Sequence, residues 1–408
     1  MKIAFDFRKA SYYSLCVLWA SLTFSKALIE ISFVFALGFW ILWRIQEKRI
    51  LEGQLPKTIL IPFSIFILLS VFSHFWSEVP AASFRGVFKI LQQVTIFYLV
   101  IDIFRENRDL RKFEHILFAV LLFTTISGLT QYFFGRDLLR GFAGQEASSG
   151  LRVSASFYSY GQLASFLITT IPFLVGLYLL HLRFNSLGKR LLYGLSGLSA
   201  FVVLGLTRSR GAFLAFFGGT VFFLILKRKF KVLLLLSLFT VGVLFVLPRE
   251  MVIHLDGYYR EQSIVERYHL WKRALSVIEE KPWTGTGINT YASAHEKYDK
   301  EKTDQVRGYY AHNGYLQMAA ETGLPCLFFF LWFLVQYFRE SYTRQKKLPP
   351  EDSYPATAML LGCLNFLLFS LVDTVMHNPQ PVTIFWFLLG VQWSYHRSHQ
   401  RQELSGTR

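Results

Sequence analysis

Apolar residues in this chain come in long blocks, not in alternation or in a thin helical stripe. Twelve blocks reach or approach the roughly 17–20 residues that cross a bilayer: 10–25, 27–44, 58–74, 86–104, 113–132, 157–181, 190–207, 210–226, 231–248, 312–338, 354–374 and 380–396. Lys26 and Glu30 interrupt the first two, which read either as a hairpin or as one broken segment. No small-residue cleavage site follows the first block, so a cleaved leader is not expected. Between the ninth and tenth blocks the pattern changes: residues 248–311 carry ten basic and ten acidic side chains. The reading is an all-α polytopic integral membrane protein with about 12 transmembrane helices and one large loop. Residues 1–247 form an N-terminal bundle of about nine spans and 248–311 the loop. Residues 312–396 form three more spans and 397–408 a tail. A rigid helical scaffold with one sizeable polar loop does its chemistry there.

Within the loop, Ser263 to Glu280 reads as an amphipathic helix. Ser263 and Glu266 form a capping box. Ile264, Tyr268, Trp271, Leu275 and Ile278 recur at three- and four-residue spacing, giving one apolar stripe flanked by Arg267. Lys281-Pro282 ends it. Gly285-Thr286-Gly287 follows a helix and lacks a third glycine, so it reads as a tight turn toward the membrane and not as a dinucleotide fingerprint.

The net charge of +16 changes the picture only once it is mapped. Basic clusters sit at Arg44/Lys48/Arg49/Lys57, Arg105/Arg108/Arg111/Lys112, Lys227/Arg228/Lys229/Lys231 and Arg339/Arg344/Lys346/Lys347. The short loops 75–84 and 375–379 have neither Lys nor Arg. That is the positive-inside asymmetry, and it places both termini in the cytoplasm and the 248–311 loop on the outer, periplasmic side. The basic excess therefore reports topology, and nucleic acid is not an expected partner. Cys16, Cys326 and Cys363 all lie inside apolar blocks and read as small core residues, not as a disulfide framework.

Some arginines are not explained by topology. Arg136, Arg140 and Arg152 lie in the outer loop 133–156, Arg208 and Arg210 in the turn 207–210, and Arg249, Arg260, Arg267, Arg273 and Arg307 in the large loop. A guanidinium is always charged and its fork matches phosphate. Arg210 also opens a helix, where the backbone dipole favours an anion. The alternative is a set of snorkelling interfacial anchors. His312, at the start of the tenth block, carries an imidazole, the side chain most often used as a general base; the alternative is a helix-end histidine bonded to backbone. His377-Asn378 competes for the base role. There is no Asp-x-Asp, HExxH, CxxC, GxSxG or Walker A string, so no metal or cofactor is expected. Few ionisable groups interrupt the spans, chiefly Glu30, Lys89, Asp102, Glu321 and Asp373, which makes a transporter a weak reading.

Three strings together resemble the O-antigen ligase and polymerase superfamily of bacterial membrane glycosyltransferases. Thr207-Arg208-Ser209-Arg210-Gly211-Ala212 resembles its segment opening a span. Glu266-Arg267-Tyr268-His269-Leu270-Trp271-Lys272-Arg273-Ala274, then Pro282 and Gly285-Thr286-Gly287, resembles its loop motif. His312-Asn313-Gly314-Tyr315-Leu316-Gln317 with Glu321-Thr322-Gly323 resembles its third element. Arg152-Val153-Ser154-Ala155-Ser156-Phe157 with Gln162-Leu163-Ala164 is a weaker match, because Ser159-Tyr160-Gly161 stands where the family often has Asn-Pro-Asn. The motifs span about 150–325.

The resemblance implies a GT-C-like enzyme of the bacterial inner membrane. Such enzymes move a glycan from an undecaprenyl-pyrophosphate-linked donor to an acceptor hydroxyl on the periplasmic side. It also implies roles: His312 as the base or the group that orients the acceptor, Arg208, Arg210 and Arg267 on the pyrophosphate, and Arg152 as a further partner. It favours His312 over His377. A ligase acting on lipid A–core is the leading expectation. The repeat-unit polymerase is the alternative, followed by a protein-directed oligosaccharyltransferase. A lipid-linked glycan transporter or a non-catalytic scaffold are readings from other classes.

Overall fold

The computed structural model describes residues 5–48, 55–146, 150–183, 186–231, 257–298 and 310–405. Eight helices come first: α1 (Phe7–Ser21), α2 (Lys26–Glu47), α3 (Lys57–Phe72), α4 (Pro80–Ile103), α5 (Asn107–Phe134), α6 (Tyr160–Arg183), α7 (Leu187–Leu206) and α8 (Arg210–Leu226). Then come α9 (Gly257–Glu280), the short α10 (Tyr291–Ala294), α11 (Gly314–Thr322), α12 (Leu324–Gln345), α13 (Pro350–Phe369) and α14 (Pro379–Ser405). No strand forms among the described residues; two isolated bridges pin the loop after α5. Among the described residues, six helices, α2 to α7, are long and apolar enough to cross a membrane. The predicted ninth span, 231–248, lies outside the described residues apart from Lys231.

The first two blocks are separate helices joined by a four-residue turn, so they form a hairpin. The tenth block, expected to be one span over 312–338, is two helices. Gly323 breaks it at φ +83, and Pro325 stands at the start of the next helix, where its missing N–H costs nothing. A Cβ on Gly323 would overlap the Trp283 carbonyl, so the break makes room for the returning loop. The loop helix also differs from expectation. It starts at Gly257, so Ser263 lies inside it and cannot be its cap. Its buried side is Leu270, Arg273, Ala274, Val277 and Ile278, whereas Tyr268 and Leu275 are exposed. Ala274 packs in one cluster with Ala319 and Ala320 of α11. Small residues at this one contact allow close approach of the two helices.

Packing between spans follows the same rule. α6 and α13 touch closely because Gly176 lies against Ala358, where a Cβ would come within 2.7 Å, and Gly362 lies against the Thr169 carbonyl. Asn365 donates to the Ile168 carbonyl at 3.0 Å, a bond that has no competitor in lipid. Phe63, Phe97, Phe333 and Trp386 stack where α3, α4, α12 and α14 meet, with Phe63 and Phe333 centroids 4.6 Å apart. Each such pair adds about 0.5–1.5 kcal/mol.

The two ends of the bundle are chemically distinct. The start of α1 and the C-terminal part of α14 lie at one end, where Arg8 of α1 and Ser398 and Arg401 of α14 line one cleft. Asp102 is fully buried there and accepts from Trp40 Nε1 at 2.7 Å, Arg44 Nε at 2.8 Å and Arg105 Nη2 at 2.8 Å. A lone carboxylate at this depth would be strongly destabilising; these donors offset its desolvation. The connections carrying the predicted site residues lie at the opposite end. Gln380 there donates to Leu22 O at 2.9 Å, tying the start of α14 to the end of α1.

Candidate functional site

The loop 282–290 is held by backbone. Thr286 N donates to Ala320 O at 3.0 Å and Gly287 N to Glu321 O at 2.8 Å, while Leu324 N donates to Pro282 O at 2.8 Å. Gly285 and Gly287 have φ +64 and +105 and no room for a side chain: a Cβ on Gly285 would overlap Glu321 backbone, and one on Gly287 would lie 2.5 Å from Ser77 Oγ. The expected tight turn is thus present. Glu78, before α4, anchors the same region. Its carboxylate accepts from Lys281 at 2.5 Å, from Lys297 at 3.4 Å and from the Tyr298 hydroxyl. Burial pushes the Glu78 carboxyl up, but hydrogen bonds from Lys281 and Tyr298 outweigh it and hold it below the ordinary value.

Glu321 is buried and organises the turn. Its oxygens accept from Asn289 N at 2.8 Å, Tyr291 N at 3.2 Å and Gln317 Nε2 at 3.2 Å. His377 Nε2 stands 3.8 Å from it. Between α3, α4, α11 and the segment 375–377 lies a cavity of about 100 Å³, whose polar lining includes Lys89, Gln93, Asn289, Gln317, Glu321 and His377. Lys89 donates to Asn289 Oδ1 at 3.2 Å. Sequence reasoning noted Lys89 and Glu321 only as intramembrane charges. That they share a cavity depends on Gly86, which lets Ile288 and Asn289 sit directly on α4.

His312 lies beside this cavity, two residues before Gly314, whose N–H donates to Ser370 O at 2.7 Å. It has φ +47, a left-handed conformation that strains a residue with a side chain. Its Nδ1 is buried without a hydrogen bond and lies 3.7 Å from Asp373 Oδ1, while the side chain as a whole is 42% exposed. Asp373 was legible as an intramembrane carboxylate but not as a neighbour of His312.

Arg208 and Arg210 occupy the turn between α7 and α8, both exposed. Arg208 has φ +53, and its guanidinium rests against Gly150, where a Cβ would come within 2.8 Å of Nη2. Arg210 opens α8, capped by Ser209, whose hydroxyl accepts from Ala212 N. Gly211 packs on Val372 and Gly161 lies near Asp373, so the starts of α6 and α8 border the segment that faces His312. Arg152 stacks on Tyr160 at 4.7 Å, and its neighbour Val153 N donates to Leu206 O at 3.1 Å, just before Arg208. Arg140 is taken up by Phe142 and Tyr158, over whose rings it stacks. Asp137 shapes this loop. Burial raises its carboxyl, but Ser156 and the N–H groups of Arg140, Leu139 and Phe142 outweigh that and lower it. Arg267 is half-buried on α9, one turn before Leu270. No hydrogen bond or ion pair joins Arg152, Arg208, Arg210 or Arg267 to His312 among the described residues.

The motif residues sort into two groups. Asn313 caps α11, accepting from Tyr315 N and Leu316 N; Gln317 and Glu321 hold the turn; Ser209 caps α8; the glycines allow close approach. Each has a structural duty. The side chains of Arg208, Arg210 and Arg267 make no hydrogen bond or ion pair among the described residues, and that of His312 has only its long approach to Asp373. Side chains left over in this way are the ones open to a ligand. No group of three or more His, Cys, Asp or Glu comes together as metal ligands among the described residues.

No curated protein matches this chain. The family model Wzy_C, O-antigen ligase, matches residues 195–331, so the resemblance drawn from the motifs is borne out over that segment. The match includes Arg208, Arg210, Arg267, His312 and Glu321, while Lys89, Arg152, Asp373 and His377 lie outside it.

Proposed function

We propose that this protein is a lipid-linked glycan transferase of the O-antigen ligase type. It moves a glycan from undecaprenyl pyrophosphate to a hydroxyl of lipid A–core at the periplasmic face, the end opposite the termini. One observation carries the reading. Within the segment that matches the ligase family, three motif arginines and a histidine are among the side chains that make no hydrogen bond among the described residues. That is the set needed to stabilise a departing pyrophosphate and to take a proton from an attacking hydroxyl.

In this mechanism Arg208, Arg210 and Arg267 bind the pyrophosphate, with Arg152 beside them. The acceptor oxygen attacks the anomeric carbon from the face opposite the pyrophosphate. The carbon–oxygen bond to pyrophosphate breaks, and the electron pair leaves with it onto oxygens facing the arginines. The acceptor proton passes to His312, and the Asp373 carboxylate, 3.7 Å from Nδ1, stabilises the imidazolium that forms. Attack from the opposite face inverts the anomeric configuration.

The test uses a host without its own ligase. Wild-type protein should restore a ladder of long chains on lipid A–core, and His312→Ala and Arg210→Ala, at equal membrane levels, should not. A wild type that gives no ladder while long undecaprenyl-linked chains accumulate counts against ligation in that host. Complementation of a polymerase-deficient strain then decides for repeat-unit polymerisation.

A further inference from the structure

The turn from α4 to α5 carries charge in an unusual arrangement. Most cations around it are neutralised within the protein. Arg105 pairs with Asp102, Arg8 with Glu106 and Asp109, and Arg111 with Glu114 and Asp352. Arg108 and Lys112 are exposed and make no ion pair among the described residues. Four residues apart on α5, they stand on one face. With Arg111 they line a groove of about 510 Å³ whose other wall is Tyr12 and Tyr13 of α1, with Ile116 farther along α5. No carboxylate lines it. Tyr13 is 53% exposed, and one turn on α1 also exposes Val17. The groove is therefore basic and aromatic at its mouth and continues along α1 as apolar surface.

We propose that this groove binds the phosphate of an anionic phospholipid, with an acyl chain lying along the exposed face of α1. Unneutralised cations beside tyrosines, at the end of apolar helices, match the headgroup level of a bilayer. The apolar continuation fits a lipid and gives nothing to a free anion. The inference requires that the helices cross a membrane and is independent of the transferase reading.

The experiment uses the full chain in a neutral detergent. Native mass spectrometry reads binding of added phosphatidylglycerol against phosphatidylcholine. Wild type should prefer phosphatidylglycerol, and Arg108→Gln/Lys112→Gln should weaken that binding by on the order of tenfold. Lys346→Gln/Lys347→Gln, an equal change of charge at the same end of the bundle, should keep the preference. Arg108→Lys/Lys112→Arg should keep it too. If the double change lowers the melting midpoint in detergent alone, the single changes are read instead, each expected to give part of the loss. Equal binding of the two lipids by wild type, or equal loss in the 346/347 variant, would overturn the proposal. So would inorganic phosphate raising the melting midpoint as much as phosphatidylglycerol, which would make the groove a soluble-anion site.

Discussion

Arg44 and Arg210 both sit near the mouth of a long apolar helix, and they differ in what surrounds them. Arg44 is buried against Asp102, which Trp40 and Arg105 also reach. Arg210 is exposed and has no carboxylate partner among the described residues. The same difference separates two sets of arginines, one at each end of the bundle. At the terminal end, Arg8, Arg44, Arg105 and Arg111 are each held by acidic groups. At the other end, Arg208, Arg210 and Arg267 are not. A paired cation is structural and its removal uncovers a buried charge. An unpaired one adds little to stability and keeps its charge for something that arrives later.

That contrast can be broken by substitution, and the largest effect should be on the paired side. Asp102→Ala leaves Arg44 buried without its counter-charge and should destabilise by about 3–5 kcal/mol, read as a fall in melting midpoint or in membrane level. His312→Ala should leave the melting midpoint unchanged and lower transfer by about 10²–10⁴-fold. An equal loss of stability would make His312 structural. Arg210→Ala should likewise fold normally and lower the rate by about 10²–10³-fold, with Arg210→Lys recovering part of it. Asp373→Asn should act more mildly, lowering transfer by roughly tenfold. An unchanged rate would remove Asp373 from the mechanism.

The smallest effect belongs to the Glu78 anchor. Its carboxyl titrates lower in the folded protein than its ordinary value. Its stabilisation is therefore fully present above the unfolded pKa, near 4.5. It is lost as pH falls through the lower, folded value. With Lys297 largely exposed, this is worth on the order of 1 kcal/mol or less. Glu78→Gln should flatten the acid limb of the stability curve by that amount; an unchanged limb would assign the acid sensitivity elsewhere.

Hydropathy made most spans legible, because lipid allows a helix few alternatives: the predicted 210–226 is helical over the same residues, and 58–74 and 190–207 end within a few. The site was legible as chemistry but not as geometry. Arg208, Arg210 and His312 stood out because their residue types were unexpected on an outer face. The neighbour of His312 did not, since Asp373 lies in another part of the chain and reaches it only through the bond from Gly314 to Ser370. The buried face of α9 is rotated from the predicted stripe: Leu270, Ala274 and Val277 turn inward with Ile278, while Tyr268 and Leu275 face out. Ala319 and Ala320 of α11 stand opposite Ala274, contacts that the sequence of α9 alone does not contain. The split of the tenth block was written in Gly323 and Pro325, but its cause is Trp283, in the loop before.

The joined backbones of residues 282–287 and 320–324 also bear on the order in which the protein is made. The loop is synthesised first, yet the carbonyls of Ala320 and Glu321 that receive its N–H groups belong to residues added later. A nascent chain halted before Ala320 holds Arg208, Arg210 and Arg267 but lacks the carbonyls that set the turn in place. The turn beside the candidate site is therefore completed late in synthesis. Protease sensitivity of the 282–290 segment in chains arrested before Ala320 and after Leu324 would read that step directly; equal protection in both would refute it.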